Sequence, residues 1–367
     1  MKKLICIISL CFISILAFSQ AGYFSISGKV IDAASKTPMQ AASVFAQNTT
    51  IGTVTNADGN FTIWLPNGGY DLIVTYTGYE TVSKRVSAAD AANTGLSFEM
   101  KQKEKSMEEV AIKTSNEVKD GWVKYGDFFI ENFIGKTINS KQCSISNKDI
   151  LHFYFSKKRN RLKVLADEPV VVVNQALGYN IKYTLDSFVY DYTSNTGTFT
   201  GYPLFEEIPL TDPAAAVSRQ ALRMKAYKGS ILHFMRSVYD RRIKEEGFDM
   251  QLVANNRGED TVLKVKDYYG ALNYVKDDSS KLVEIIPNQP DVAVLYKDEI
   301  PEEEYSLLNK EAPTKFQLSV MNIDITRQQT IGIEQNGYYF DQDDINFTGY
   351  WAWEKVGDML PYDFKPD

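Results

Sequence analysis

Two short runs of alternating apolar and polar side chains dominate residues 55–80, TNADGNFTIWLPNGGYDLIVTYTGYE. A period of two is typical of β-strands that bury one face. Residues 66–69 (PNGG) lie between the runs, and they form a turn sequence. The stretch therefore predicts two strands closed into a hairpin by PNGG. Every second residue of each run is apolar: Phe61, Ile63 and Leu65 in the first, and Leu72, Val74 and Tyr76 in the second.

The same pattern extends over residues 22–103, where Phe24, Ile26 and Val30 also share one parity. Some seven short strands fit into about 80 residues, without a convincing helix, and this spacing is typical of a small β-sandwich. Residues 104–117 are rich in charge and predict a linker to a larger domain, residues 118–367.

The first 21 residues have the pattern of a cleavable secretory signal. Lys2 and Lys3 precede an apolar run from residue 4 to residue 18, and small residues follow, so we expect cleavage after Ser19 or Ala21. The apolar run is shorter than the ~20 residues that a spanning helix needs. We therefore expect a protein that does not span a membrane after cleavage and that resides in the periplasm or at the outer membrane.

Cysteine content and charge narrow the class of protein further. Cys6 and Cys11 lie within the signal, so the mature chain keeps Cys143 and no internal disulfide framework is expected. The full chain has 40 basic and 47 acidic side chains, and the signal contains two of the basic ones. The acidic excess lies after residue 105, which supports a domain boundary there and argues against nucleic acid as a partner.

The larger region has mixed periodicity and predicts an α+β domain with an antiparallel sheet and a few helices. Residues 213–246 have helical periodicity. Within them, Ser230 should cap a helix that continues to the end of this stretch, with Gly247 just after its last residue. A further helix is expected over 119–135 and a short one over 350–360. Strands are expected at 150–156, 161–166, 169–174, 179–192, 197–202, 248–254, 260–266, 281–286, 292–296, 315–326 and 329–340.

The N-terminal segment carries a set of spaced residues: Gly28-Lys29-Val30, Asp32, Pro38, Ala42, Val44, Gly52, Thr55, Asp58-Gly59, Phe61, Tyr70, Leu72, Gly78 and Tyr79. Their combined spacing resembles a known family, the carboxypeptidase-like regulatory domain. The resemblance implies a seven-stranded, transthyretin-like Greek-key sandwich, an accessory module that is not itself catalytic. Such modules are found beside peptidase domains and at the front of envelope receptors.

The rest of the chain carries a second set of spaced residues: Phe133, Gly135, Cys143, Asn147, Asn174, Leu177-Gly178-Tyr179, Tyr227, Gly229-Ser230, His233-Phe234, Arg236 and Leu360-Pro361. In these residues it is similar to the long partner region of exported carboxypeptidase-like regulatory domain-containing proteins of Bacteroidota. No activity is attached to that region, so the resemblance carries over no catalytic residue.

Metal sites are disfavoured by spacing. The two histidines, His152 and His233, belong to no H-E-x-x-H arrangement, so a zinc peptidase is excluded. Asn56, Asp58 and Asn60 imitate the start of a calcium loop, but its sixth and twelfth positions hold Phe61 and Asn67 instead of glycine and glutamate. The sequence predicts a local turn there, with Gly59 at positive φ, and no metal or cofactor.

Two groups of side chains are candidate catalytic residues. Cys143 and His152 would become cross-strand neighbours if residues 146–149 turned a hairpin, although a buried structural cysteine is the ordinary alternative. His233, Arg236 and Asp240 share one side of a predicted helix, His233 and Asp240 within about 20° of each other. They could line a cleft, or they could form a solvated face with an Arg–Asp pair.

The acidic runs 297–305 and 341–344 are expected to be solvated loops. The many tyrosines could build a platform for sugars or could be ordinary strand faces. We therefore expect an exported, non-catalytic binding or scaffolding protein of the cell envelope, whose partner is an envelope protein or a surface glycan. The alternative is a hydrolase with an unfamiliar site in the larger domain, and a weaker one is a glycan-binding module.

Overall fold

The computed structural model of the chain describes residues 22–88, 93–103, 117–256, 259–323, 330–340 and 345–366. The predicted signal, the linker up to residue 116 and the acidic run 341–344 lie outside the described residues. The protein is mainly β, as the sequence predicted, with several antiparallel sheets and a smaller number of helices. In the described part of the chain, no helix has the length and apolar character needed to cross a bilayer.

The N-terminal region is a sandwich of seven strands, which confirms the predicted fold. One sheet has the order β4-β1-β7 and the other the order β3-β2-β5-β6. The core between them contains Ile26, Leu65, Leu72 and Val74, none of which is exposed. The strands are β1 (Tyr23–Asp32), β2 (Ser43–Ala46), β3 (Gly52–Val54), β4 (Asn60–Pro66), β5 (Gly69–Thr75), β6 (Val82–Ser87) and β7 (Leu96–Met100).

The PNGG turn does not close a hairpin, so that prediction was wrong. Strand β4 pairs with β1, with Ile63 opposite Ile26, and β5 pairs with β2 in the other sheet. The turn therefore carries the chain from one sheet to the other. Alternation identifies which face of each strand is buried, but strands of both sheets alternate in the same way, so alternation leaves the pairing partner open.

A six-stranded antiparallel sheet follows, covered by helix α1 (Gly121–Phe133). Phe129 of α1 meets Phe153 and Phe188 of the sheet edge to face, with ring centroids 6.1 and 4.9 Å away. The helix and five of the strands lie close to their predicted positions. The strands are β8 (Cys143–Ile145), β9 (Leu151–Ser156), β10 (Arg161–Ala166), β11 (Val170–Asn174), β12 (Tyr179–Asp191) and β13 (Thr196–Glu207).

The remaining elements enclose another core, between a five-stranded and a three-stranded sheet. The five-stranded sheet has the order β15-β14-β18-β19-β21, and the other has the order β16-β17-β20. The strands are β14 (Phe248–Asn256), β15 (Glu259–Lys264), β16 (Val275–Lys276), β17 (Val283–Ile285), β18 (Asp291–Tyr296), β19 (Gln317–Ile323), β20 (Ile331–Ile333) and β21 (Ile345–Gly349). The helices are α2 (Pro213–Tyr227), α3 (Ile231–Tyr239), α4 (Tyr268–Ala271), α5 (Glu303–Leu308) and α6 (Tyr350–Trp353).

Helix α3 begins as predicted but ends early. The Ser230 hydroxyl accepts a hydrogen bond from the His233 N–H at 3.2 Å, which is the predicted cap. Arg241 then adopts a φ of 57°, which no α-helix contains, so the helix ends at Tyr239 and Gly247 is not its terminating residue. The strand predicted at 329–340 shrinks to β20 because residues 334–338 form a tight turn.

A short loop of the sandwich joins it to two other parts of the chain. We call residues 47–50 the junction loop and residues 356–364 the C-terminal segment. The Asn48 N–H donates to Pro203 O of β13 at 2.8 Å, and the Phe205 N–H donates to Thr49 O at 2.9 Å. From the other side, the Tyr362 N–H donates to Asn48 O at 2.7 Å. Backbone hydrogen bonds thus hold the sandwich to both β13 and the C-terminal segment.

An arginine makes a second contact across this interface. Arg85 of β6 forms an ion pair with Glu334, and its guanidinium lies 4.6 Å from the ring centre of Tyr338 and 4.8 Å from that of Phe340. The Glu334 side chain is only 10% exposed, so its charge depends on Arg85 for compensation. The hydroxyl of Tyr338 donates in turn to the Asp71 carboxylate of β5.

Replacing this arginine should destabilise the whole fold. We expect Arg85→Ala to lower the free energy of unfolding by about 2 kcal/mol, because it removes the ion pair to a largely buried carboxylate and two cation–π contacts. Chemical denaturation measures the change. Lys84→Ala, at an exposed neighbour on the same strand, is the matched control and should have little effect. Equal stability of the two variants would contradict the proposed role of Arg85.

Candidate functional site

Three of the sequence-predicted candidates meet in one pocket. His233, Arg236 and Asp240 all line a cavity of about 440 Å³ beside α3, together with Glu246 and Asp298. We call this cavity the α3 pocket. The helical spacing of the three residues correctly placed them on one side of the helix. What each side chain does there depends on contacts from distant parts of the chain.

His233 has both ring nitrogens in hydrogen bonds. The Gly229 N–H donates to Nδ1 at 3.1 Å, so the ring proton is on Nε2, which lies 3.2 Å from the Glu246 carboxylate. The ring is only 4% exposed and packs against Tyr227 and Phe248, with ring centroids 4.7 and 4.8 Å away. Neither nitrogen is left to take a proton from a substrate.

The electrostatic surroundings of His233 keep it neutral. Burial lowers the pKa of the imidazole below its ordinary value, and it outweighs the opposing effect of the Glu246 carboxylate. The neutral ring accepts from the Gly229 N–H, a bond that a protonated ring could not form. This imidazole therefore stabilises the start of α3.

Arg236 fixes the C-terminal segment to α3. Its Nε donates to Asn336 O at 3.0 Å, and one terminal nitrogen donates to Tyr362 O and Phe364 O, both at 3.0 Å. Its guanidinium also lies 5.5 Å from the ring centre of Tyr227. The side chain is bound to backbone carbonyls, whereas Asp240 at the end of α3 is exposed to solvent.

Cys143 and His152 are not brought together. The hairpin that would have paired them does not form, because β8 pairs with β11 and β9 pairs with β10. Cys143 thus lies opposite Asn174, and His152 lies opposite Leu165. The cysteine and histidine have separate environments, which we describe in turn.

The Cys143 thiol lies in a setting that keeps it protonated. Its Sγ is 3.5 Å from Asn139 O, and burial, assisted by Asp358, raises the pKa of the thiol to about 12. Because the thiolate is the reactive form, this thiol is a poor nucleophile.

His152 lies between two carboxylates. Its Nδ1 is 3.0 Å from Glu117 and its Nε2 is 2.8 Å from Asp167. Burial lowers the pKa of the ring, but the two carboxylates outweigh it and raise the pKa above its ordinary value. His152 therefore ties residue 117, at the start of the larger region, to β9 and to the loop before β11.

The segment that imitates a calcium loop is a turn. The side-chain oxygen of Asn56 accepts hydrogen bonds from the N–H groups of Asp58 at 3.0 Å and Asn60 at 2.9 Å. Gly59 has a φ of 74°, as the turn hypothesis required. Within the described ranges, no three His, Cys, Asp or Glu side chains are arranged to hold a metal ion.

The acidic run 297–305 is not simply a solvated loop, contrary to the prediction. Glu302 accepts hydrogen bonds from the Ile138 N–H at 3.2 Å and from the Trp353 indole at 3.3 Å. Burial raises the pKa of nearby Glu299. Glu304 forms an ion pair with Lys141 near the start of β8. Acidic composition alone gave no sign of these contacts.

The Tyr76–Tyr79 pair of the sandwich does not form a flat platform. Tyr76, which is 37% exposed, meets Tyr79 edge to face at 78°, with ring centroids 5.4 Å apart. A sugar ring stacks on a flat aromatic face, and two rings at 78° to each other do not form one flat surface.

A second cavity, of about 150 Å³, lies between the junction loop and the C-terminal segment, and no sequence pattern predicted it. Its wall includes Asn48, Glu354 and Leu360, which are far apart in the sequence. The stretch around Glu354, WEKVGD, has the composition of an ordinary surface segment. We call this space the junction cavity.

Comparison with known proteins identifies the sandwich. Residues 26–112 match the model of the CarboxypepD_reg-like domain, which confirms the resemblance seen in the sequence for this part of the chain. A search of curated protein sequences found no significant match.

Solved structures resemble the chain only weakly. The group B streptococcus pilus 2b backbone protein is 22% identical over 21% of this chain and 40% of its own, with a TM-score of 0.19. A DUF3823 family protein from Bacteroides ovatus is 12% identical over 51% of this chain and 82% of its own, and its TM-score is 0.18. A DUF3823 family protein from Parabacteroides merdae is 11% identical over 52% of this chain and 82% of its own, and its TM-score is also 0.18. These TM-scores are too low to support a shared overall fold.

The buried state of His233 predicts a specific pH dependence of stability. Its pKa in the folded protein lies below the ordinary 6.5, so the unfolded chain takes up the proton first and the free energy of unfolding falls as the pH drops below 6.5. In His233→Asn, whose amide oxygen can replace Nδ1 as acceptor, this part of the dependence should disappear.

Urea denaturation of both proteins between pH 5 and pH 8 measures the difference, with roughly constant ionic strength to limit changes in screening. His152 contributes to both profiles alike and cancels in the comparison. Parallel profiles for the two proteins would show that His233 is not held neutral by the fold.

Proposed function

We propose that the chain is an exported protein of the cell envelope that acts by binding or scaffolding and not by catalysis. The observation that carries the proposal is the use of the polar groups in the α3 pocket. The imidazole of His233 has both nitrogens bound, and the guanidinium of Arg236 is bound to three backbone carbonyls. The groups best suited to chemistry thus serve to hold α3 and the C-terminal segment in place.

The attachment of the sandwich supports a scaffolding role. The junction loop and Arg85 hold the sandwich against the larger region at two separate places. A binding surface on the sandwich is therefore in a fixed position relative to the larger region, as a scaffold requires. The outer face of the β1–β4 pair carries Tyr23 and Trp64, which are 57% and 61% exposed. Exposed aromatic side chains of this kind are enriched at protein interfaces.

Cross-linking in intact cells tests this proposal. A photo-reactive amino acid at Trp64 should capture an envelope protein as a discrete adduct, whereas the same residue at exposed Lys158 serves as the control and should not. The recovered protein should begin at Gln20 or Gly22. Retention of Met1 in a cytoplasmic fraction would contradict export. An adduct lost on glycosidase treatment would favour a surface glycan instead.

A hydrolase is the second candidate, and one observation favours it: His233, Arg236 and Asp240 do share a pocket. Ser237 lies there too, but its hydroxyl donates to His233 O at 2.7 Å and is buried. If the pocket were catalytic, His233→Asn would abolish hydrolysis of peptide, ester or glycoside substrates by the purified protein. A binding role predicts no His233-dependent hydrolysis.

A further inference from the structure

The junction cavity has apolar walls and a defined size. Leu232 of α3, Trp351 of α6 and Leu360 of the C-terminal segment form part of its lining, and each of these side chains is at least nine-tenths buried. Its volume of about 150 Å³ is that of cavities known to accept a benzene-sized molecule. The cavity thus has room for about six non-hydrogen atoms.

Two acceptors in the wall of this cavity lack partners. No hydrogen bond or ion pair in the described part of the chain engages the Glu354 carboxyl group, and the side-chain oxygen of Asn48 is buried without a hydrogen-bond donor. Glu354 as a whole residue is half-buried. Unpaired acceptors in a largely apolar cavity are costly, and a ligand with donors would remove that cost.

Three acidic side chains act on Glu354. Burial raises the pKa of Glu354 well above its ordinary value, and Asp358, Glu299 and Glu302 raise it further. These effects favour the neutral, protonated form of Glu354. A positive charge beside it would reverse this effect.

The other ionisable groups of the cavity wall are engaged elsewhere. Asp358 accepts hydrogen bonds from the Thr137 hydroxyl at 2.7 Å and the Asn139 amide at 2.9 Å. Burial lowers the pKa of Lys355, and the charges that act on it are those of Lys136 and Glu131, so it is not the counter-ion of Glu354. Tyr339 and Tyr362 complete the wall.

We propose that the junction cavity binds a primary ammonium group on a short alkyl stem, with the Glu354 carboxylate as counter-ion and the Asn48 side-chain oxygen as a second acceptor. An ammonium group has three donors, and its stem would lie against the apolar wall formed by Leu232, Trp351 and Leu360. Anions would meet carboxyl groups, and a neutral molecule would lack the positive charge that favours the carboxylate form of Glu354.

This inference gives the proposed binding function a chemical class of ligand, at a site separate from the α3 pocket. The same chemistry is present in a free alkylamine and in a lysine side chain of a partner. Calorimetry on the purified protein distinguishes the two sources. Nα-acetyl-lysine methylamide serves as the model of a lysine residue, and its backbone must stay outside the cavity, whereas n-butylammonium has no backbone. Comparable affinity for this compound and n-butylammonium indicates a lysine side chain, and binding of n-butylammonium alone indicates a free amine.

The decisive comparison is between n-butylammonium and n-butanol at pH 8. We expect n-butylammonium to bind roughly ten- to a hundred-fold more tightly, because n-butanol lacks the charge. Glu354→Gln should lose most of this preference. Glu311→Gln, at an exposed position, is the matched control and should keep it. Affinity for n-butylammonium should also fall as the pH is lowered and Glu354 regains its proton.

Three outcomes would overturn the inference: equal affinity for n-butanol, unchanged affinity in Glu354→Gln, or no binding at millimolar n-butylammonium. The first and third use the unaltered protein, so they do not depend on how the variant folds. Partner capture at Trp64 is measured separately. Failure of ammonium binding therefore leaves the proposed envelope role intact, and failure to capture a partner at Trp64 leaves the ammonium site intact.

Discussion

The structure depends on the backbone hydrogen bonds of the junction loop. Asn48 is hydrogen-bonded to both β13 and Tyr362, Thr49 accepts from β13, and the Thr50 N–H donates to Asp363 at 2.9 Å. Buried backbone groups are costly when unpaired, so these bonds fix three distant parts of the chain relative to one another. Asn48 has a φ of 54°, a conformation that asparagine adopts more readily than most residues. The junction cavity exists because the loop is held there.

Two arginines extend this arrangement away from the loop. Arg236 binds backbone carbonyls of the C-terminal segment, and Arg85 pairs with Glu334 in the turn after β20. A guanidinium suits both tasks, because it carries five fixed donors and can also stack on aromatic rings. Arg236 also lines the α3 pocket, where its guanidinium holds the C-terminal segment. The composition of this pocket alone is therefore no evidence of catalysis.

Local pattern predicted much of the fold and part of the site. Strand β10 has its predicted bounds, the cap at Ser230 is present, and His233, Arg236 and Asp240 share a pocket, since each follows from nearby residues. Three features were not predicted from the sequence: the crossing of the PNGG turn between the two sheets, the early end of α3, and the junction loop. Each depends on partners distant in sequence or on backbone conformations that leave no periodic signal. Glu354 was missed because its isolation appears only after folding.

Through the junction loop, the sandwich and the larger region should form one cooperative unit. Hydrogen exchange at the amides of Asn48, Phe205 and Tyr362 tests it most directly, because these three N–H groups donate across the junction. If the claim holds, they exchange only through global unfolding, with the same free energy of opening as the amides of the sandwich core. Rapid exchange at these three positions, with the sheets still protected, would show that the parts separate while folded and would contradict the account.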